Sequence, residues 1–411
     1  MQVIQRTISV TLLLLVTLLP VAAQQSAQRT REDFLAMGLP FYEGNAVTVL
    51  PTGVGKYESL FADIERARRF IHLDYFKFQN DSICHALFDL LARKAAQGVE
   101  VRVIFDSFGN SHSDLPLSKS YLVELRNQGI QIYPFSRVRF PWVSQLLHRN
   151  HHKIALIDGE MVYTGGMNVA DYYLHGKPKV GEWRDMHMKV VGPVVDGYEY
   201  IFEMMWYDVS GELLDTEYYR CTVQLENGTE LVLVNRVPLE NPQVMRDAYA
   251  AAIDNANHII QIVNPYATLV GTVSKALNRA LKRGVRLQIM VSVNCDVSVT
   301  PGVIAQEMHR LMKRGAEVYY FNGGFHHSKY MTVDGEFCTI GTANLDGRSL
   351  CCDYEVNSFI FDPGVTKELE EVFRRDREER CELLTPQLWK EKFSLRTKLS
   401  GRFFRLIKNA L

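Results

Sequence analysis

The sequence predicts an α/β protein of two pseudo-twofold-related lobes, each a mixed β-sheet flanked by helices, with one site at the interface between them. Three observations carry that expectation. His151-x-Lys153-x4-Asp158-x6-Gly165-x2-Asn168 recurs with identical internal spacing as His327-x-Lys329-x4-Asp334-x6-Gly341-x2-Asn344. Around the motifs, the same order of helices and strands occurs twice, which marks a duplicated unit rather than a chance match. Gly98 and Gly284, and likewise Gly129 and Gly315, are offset by the same 186 positions and follow amphipathic runs where a helix would stop.

In the first half, a helix over Ser59–Arg69 leads into a strand over Phe70–Phe78. A helix around His85–Gln97 precedes the strand Val99–Phe105, and the helix Ser118–Asn127 precedes the strand Ile130–Phe135. The second half repeats this with helix Val244–Ala256, strand Ile259–Val263, helix Thr272–Arg283, strand Val285–Val291, helix Ile304–Arg314 and strand Ala316–Phe321. Within each motif, Lys153–Ile157 and Lys329–Val333 read as strands, followed by Asp-Gly hairpin turns at Asp158 and Asp334. Side chains two apart on a strand share a face, so His-x-Lys presents both groups in one direction. The expected organisation is a first lobe over 40–206, a connecting segment over 207–240 with a strand at Glu230–Val234, a second lobe over 241–385, and a tail over 386–411.

The ends carry separate signals. Arg6 precedes an apolar stretch, Ile8–Leu19, and small residues at Val21, Ala22 and Ala23. This reads as a secretory signal over 1–23, with an uncleaved anchor as the alternative although it falls short of the roughly 20 apolar residues of a spanning helix. It places the chain outside the cytoplasm, periplasmic or secreted, with the tail pointing to membrane association. The tail Lys392–Leu411 has six basic residues and no acidic one, with Leu399, Phe403, Leu406, Ile407 and Ala410 at helical spacing. A basic amphipathic helix suits an anionic membrane surface, although it can equally pack on the domain, and Gly401 weakens it in either role. Lys and Arg total 46 against 47 Asp and Glu, so the chain lacks the basic excess of a sequence-independent nucleic-acid binder. Seven cysteines show no metal-type spacing, and an oxidising compartment would permit one or two disulfides that spacing cannot choose.

Metal-free phosphodiester cleavage needs a nucleophile, an acid for the departing alkoxide and fixed positive charge on the non-bridging oxygens. Two histidines supply the first two. Lys153 and Lys329 supply the third, with Asn168 and Asn344 as neutral donors. The rival is a metal site, since His148, His151 and His152 cluster and His326 adjoins His327. Lysines beside the cation and the lack of a carboxylate array argue against it, so neither a metal nor another cofactor is expected.

These paired HxKxxxxD motifs resemble the phospholipase D superfamily. IHLDYFKF (Ile71–Phe78) is a further family-like stretch, and EWRDMHMKVVGP (Glu182–Pro193), NLDGRSL (Asn344–Leu350) and YEVN (Tyr354–Asn357) resemble its bacterial cardiolipin synthases more narrowly. The resemblance implies phosphatidyl transfer between two phosphatidylglycerol molecules, giving cardiolipin and glycerol. The alternatives are hydrolysis to phosphatidic acid, a phosphodiesterase or nuclease of the same superfamily, and a silent lipid-binding scaffold. It implies His151 as nucleophile and His327 as acid and then base, an order that the symmetric motifs leave open. It also implies that Asp185 and Glu355 orient the histidines, read here within each half as His151 with Asp185 and His327 with Glu355. Asp158 and Asp334 belong to the catalytic motif, but their turn positions point to holding the hairpins. The chain departs from the synthase pattern at Thr342, where serine is usual, at Cys351-Cys352, and in having one signal-like segment where two N-terminal membrane helices are usual. A phospholipid is the expected partner, and the oligomeric state is open.

Overall fold

The computed structural model describes residues 25–136, 147–178, 180–297 and 300–404. The signal expected over 1–23 and the tail beyond Phe404 lie outside them.

The first half supplies strands β1 (Phe41–Leu50), β2 (Phe70–Tyr75), β3 (Glu100–Asp106), β4 (Gln131–Phe135), β5 (Lys153–Ile157), β6 (Met161–Gly165), β7 (Glu182–Arg184) and β8 (His187–Val191). The second supplies β9 (Thr229–Arg236), β10 (Ile259–Val263), β11 (Arg286–Ser292), β12 (Glu317–Phe321), β13 (Gly324–His326), β14 (Tyr330–Val333), β15 (Phe337–Gly341), β16 (Glu355–Phe361) and β17 (Cys381–Leu383). All but β7 and β13 join one sheet, whose order β4-β3-β2-β5-β6-β8-β1 in one half is mirrored as β12-β11-β10-β14-β15-β16-β9 in the other, with β17 added beyond β12. The halves meet where β1 and β9 pair antiparallel. The strand expected in the connecting segment is therefore β9, which also pairs with β16 over seven residues, Glu355 to Phe361, and is the second-half counterpart of β1. The two halves form one continuous sheet.

Each half buries its crossover helices on one face of the sheet. Leu60, Ile64, Leu87, Phe88 and Leu91 fill the first-lobe core, and Tyr249, Ile253, Leu277, Ile304 and Met308 the second. On the opposite face, the helices Val194–Ser210 and Pro363–Arg380 share a single core that reaches strands of both halves, with Tyr198, Phe202, Trp206, Leu369 and Phe373 all at or near zero exposure. Each such side chain contributes about 2–3 kcal/mol by burial, so this shared layer ties the lobes together. Neither helix was apparent from the motif repeat. The N-terminal helix, residues 25–36, also crosses the boundary: Phe34 packs edge-on against Phe359 of β16, at 4.9 Å between centroids.

Most other elements lie where the pattern placed them. The largest shift is the first helix, which spans Gly53–Arg66 and begins six residues before Ser59, because the Thr52 side chain accepts from the Gly55 N–H as an N-cap. Gly98 and Gly284 each end a helix with φ near +90°, the left-handed geometry that favours glycine. Asp158-Gly159 and Asp334-Gly335 take positive φ at both residues, as a type I′ hairpin requires. All seven cysteines are free thiols, with Cys84 and Cys338 in the core.

Candidate active site

His151 and His327 each sit just before a central strand, β5 or β14, on backbone fixed by the opposite lobe. The His151 N–H donates to the Tyr354 carbonyl (3.0 Å) and the His327 N–H to the Arg184 carbonyl (2.6 Å). Short parallel pairings, Asn150 with Tyr354 and β13 with β7, make the same crossing. These four segments carry the repeated motifs and the carboxylates to one seam.

The carboxylate pairing is crossed, and the expected pairing within each half is corrected. Nδ1 of His151 lies 2.9 Å from Oε1 of Glu355, and Nδ1 of His327 lies 2.7 Å from Oδ2 of Asp185. The physical reason is the exchange just described: the residue before each carboxylate is bonded to the residue at or before the opposite histidine, so the neighbouring side chains meet across the seam. The residues behind the two carboxylates also differ. A Cβ on Gly166 would collide with the Asp185 carboxylate, whereas Thr342, its counterpart after Gly341, donates its hydroxyl to Oε2 of Glu355. The departure from serine at Thr342 thus retains a bond to Glu355.

Both lysines turn back onto their own histidines. Nζ of Lys153 donates to the His151 carbonyl at 2.7 Å, and Nζ of Lys329 to the His327 carbonyl and against its ring nitrogens at 2.8 and 3.2 Å. Burial lowers Lys153 to about 7 and Lys329 to about 8, partly offset by Glu355 and Asp185. An entering anion would favour their charged forms. Burial also lowers His151 to about 4, against the opposing pull of Glu355. His327 falls well below its ordinary value through burial and then Lys329, with Lys153 and His151 adding to the effect. The two half-sites are therefore within electrostatic reach of each other.

The carboxylates are unequal. Burial works to raise Glu355, but His151 and Lys153 outweigh it and hold it at about 2. Burial prevails at Asp185 and raises it to about 6, in spite of Lys329. At neutral pH the first pair is a neutral imidazole donating Nδ1–H to a carboxylate, which leaves Nε2 with a free lone pair. The Asp185–His327 pair has a carboxyl whose titration lies close to neutrality.

Asp158 and Asp334 do not join this set. Asp158 accepts the N–H groups of Arg68, Arg69 and Phe70, and Asp334 those of Asn257, His258 and Ile259, at 2.7–3.0 Å. Both carboxylates brace the entry to β2 or β10, which corrects their inclusion among the catalytic groups. Asn168 and Asn344 are buried just beyond β6 and β15, and their carboxamide oxygens have no partner among the described residues.

The rival metal histidines point elsewhere: His148 to the Cys352 carbonyl, His152 to Asp74 and His326 to Asp376. Among the described residues, no three His, Cys, Asp or Glu side chains converge as a metal site. Motif reading missed the aromatic surround of His327, formed by Trp183, Tyr266 and Phe325 with centroids 5.4–5.8 Å away; His151 has Phe76 at 5.1 Å. It also missed Arg149, which grips Asp106 while its N–H donates to Asp353, a buried link across the seam. Arg149 and Trp183 lie inside the HRNHHK and EWRDMH stretches, so their position beside the motifs was the available signal. A cleft of about 590 Å³ lined by Gln79, Tyr172, Lys177 and Asp296 opens next to this aromatic wall, where Tyr172 packs on Trp183 at 4.4 Å.

Residues 60–206 and 249–377 match the family described as "Cardiolipin synthase, PLD-like domain". A probable cardiolipin synthase of Bacillus subtilis is 33% identical over 367 residues, covering 89% of this chain and 72% of that protein. A cardiolipin synthase of Oceanobacillus iheyensis is 32% identical over 373 residues, covering 90% and 76%. The crystal structure of phosphatidylserine synthase from Haemophilus influenzae superposes with a TM-score of 0.73 over 93% of this chain and 99% of that one, at 15% identity, a likeness of fold.

Proposed function

The chain belongs to the phospholipase D superfamily and is similar to its cardiolipin synthases, and from that premise we propose that it joins two phosphatidylglycerol molecules into cardiolipin and glycerol through a phosphohistidine at His151. The observation that carries this reading is the pair of crossed histidine–carboxylate contacts with unequal carboxylates.

His151, neutral and anchored through Nδ1 by ionised Glu355, attacks phosphorus through Nε2. The bond from phosphorus to the glycerol oxygen breaks, and His327 donates the proton that this oxygen takes as glycerol leaves. Lys153 and Lys329 turn from the histidine carbonyls to the non-bridging oxygens, with Asn168 and Asn344 donating beside them. A hydroxyl of a second phosphatidylglycerol then gives its proton to His327 and attacks phosphorus, breaking the N–P bond. Two displacements retain configuration at phosphorus. Asp185 fixes the His327 ring through both steps and stabilises the imidazolium that forms when it takes the proton. We place this reaction outside the cytoplasm, at a membrane, on the strength of the N-terminal apolar segment.

Purified protein mixed with phosphatidylglycerol tests the reading. Cardiolipin with equimolar free glycerol is the expected product set. Phosphatidic acid alone would mean that water takes the phosphatidyl group, and cut DNA without lipid turnover would replace the substrate class.

A further inference from the structure

The described part of the tail forms two helices, Pro386–Lys392 and Leu395–Phe404, and the second is docked and amphipathic in an unusual sense. Its inner side rests on the helix Thr300–Met312. A Cβ on Gly401 would collide with the Gly302 carbonyl, so glycine permits backbone contact there, and Gln306 donates to the Lys398 carbonyl at 2.9 Å. Just before it, Trp389 stacks on His309 with centroids 4.1 Å apart, which anchors the approach. Gly401 is thus a docking contact rather than a weak point.

Docking leaves the large apolar side chains outward. Leu395, Leu399 and Phe403 are 72%, 54% and 66% exposed, at a spacing of four that aligns them on one face. Arg402 is exposed beside them and Lys398 is half-buried, and no acidic residue occurs from Phe393 to the last residue. A water-facing helix would not spend three large apolar residues this way. Pairing with a second copy through a twofold would set these cations against their own duplicates. Among the described residues no helix is long and apolar enough to cross a membrane, so the face suits lying on a lipid surface.

Its position is also informative. Gly302, against Gly401, lies in the first turn of the helix that follows β11. The segment between them carries Asp296, which lines the cleft and accepts from the Tyr266 hydroxyl, and the Tyr266 ring lies 5.8 Å from that of His327. Val297 next to it is 41% exposed.

We propose that the helix Leu395–Phe404 is a membrane-surface element, inserting Leu395, Leu399 and Phe403 into the interface of an anionic bilayer while Lys398 and Arg402 meet lipid phosphates, on the side where the cleft opens. Binding to vesicles stands independently of the proposed reaction; only its benefit to turnover rests on that reading.

Flotation of the full chain with vesicles tests it. Vesicles of phosphatidylglycerol and phosphatidylcholine should retain the protein about tenfold better than pure phosphatidylcholine at low salt. The double variant Leu399→Asp, Phe403→Asp should lose that retention with an unchanged melting temperature, since both sites are exposed. Its turnover of a micelle-free short-chain phospholipid should match wild type, while turnover of vesicle lipid falls. Equal retention of variant and wild type on the anionic vesicles would overturn the proposal, as would a wild-type dimer that the variant dissociates. If neither protein turns over any phospholipid, the proposed reaction fails, while the flotation result still decides the surface.

Discussion

Glu355, on the second lobe, holds the ring of His151, on the first, at 2.9 Å, and Asp185 returns the relationship by holding His327 at 2.7 Å. Neither half-site is complete within its own lobe. The repeated motif is therefore a repeat in sequence but an exchange in space, made by the parallel pairings just ahead of each histidine and carboxylate.

The crossed pairs should behave as energetic units. Glu355→Gln and Asp185→Asn are each expected to lower the transfer rate by about 10²- to 10⁴-fold, as loss of a histidine-orienting carboxylate does elsewhere. Glu355→Gln combined with His151→Ala should cost little more than His151→Ala alone, since the carboxylate acts through that ring. Rate measurements on the singles and doubles decide this. Full additivity within the His151–Glu355 pair, with coupling inside each half instead, would restore the uncrossed reading.

The two lysines should matter to the chemical step. Lys153→Met and Lys329→Met remove donors aimed at developing charge and are expected to reduce kcat by about 10²- to 10³-fold. Single-turnover kinetics with saturating lipid separates this from weaker binding. A rise in KM at constant kcat would show that the cations only gather substrate.

The acid limb has a definite sign. Burial carries His151 from 6.5 to about 4, and the Glu355 charge is what resists that fall. Glu355→Gln should therefore move the acid limb of phosphoenzyme formation to lower pH, whatever its effect on the maximum. The same depressed value means that the unfolded chain binds the His151 proton more readily between pH 6.5 and 4, so stability is lost as pH falls through that window. His151→Gln should lose less melting temperature than wild type between pH 7 and pH 4. An acid limb that moves upward in Glu355→Gln contradicts the assignment.

Asp158 and Asp334 should affect folding rather than chemistry. Each satisfies three backbone N–H groups, and replacement by alanine leaves those donors without their partner, at a cost of roughly 2 kcal/mol. Urea unfolding should report that loss, with kcat per folded molecule largely kept. A stable variant without activity would return these residues to the catalytic set.

Much of this is legible in the sequence. Helix–glycine–strand succession located most crossover units because periodicity and capping are local, and the motif spacing located both His-x-Lys pairs. The crossing of Asp185 and Glu355 was not legible, since it depends on which loops meet at the seam. The helices Val194–Ser210 and Pro363–Arg380 escaped because neither belongs to the repeated motif that guided the reading, although both bury one face in the shared core. The first helix begins before the expected Ser59 because Thr52 caps it at Gly53. Gly401 was read as a helix-weakening residue, and only its contact with Gly302 explains it.

The central claim is that the phosphatidyl group passes through His151. Rapid quenching of the His327→Ala variant with headgroup-labelled and phosphorus-labelled phosphatidylglycerol, followed by mass mapping of the modified peptide, tests it most directly. The account predicts a phosphatidyl adduct on His151 that accumulates as labelled glycerol is released and is absent from His151→Ala. An adduct on His327 in the His151→Ala variant, with none on His151 in the His327→Ala variant, would contradict it.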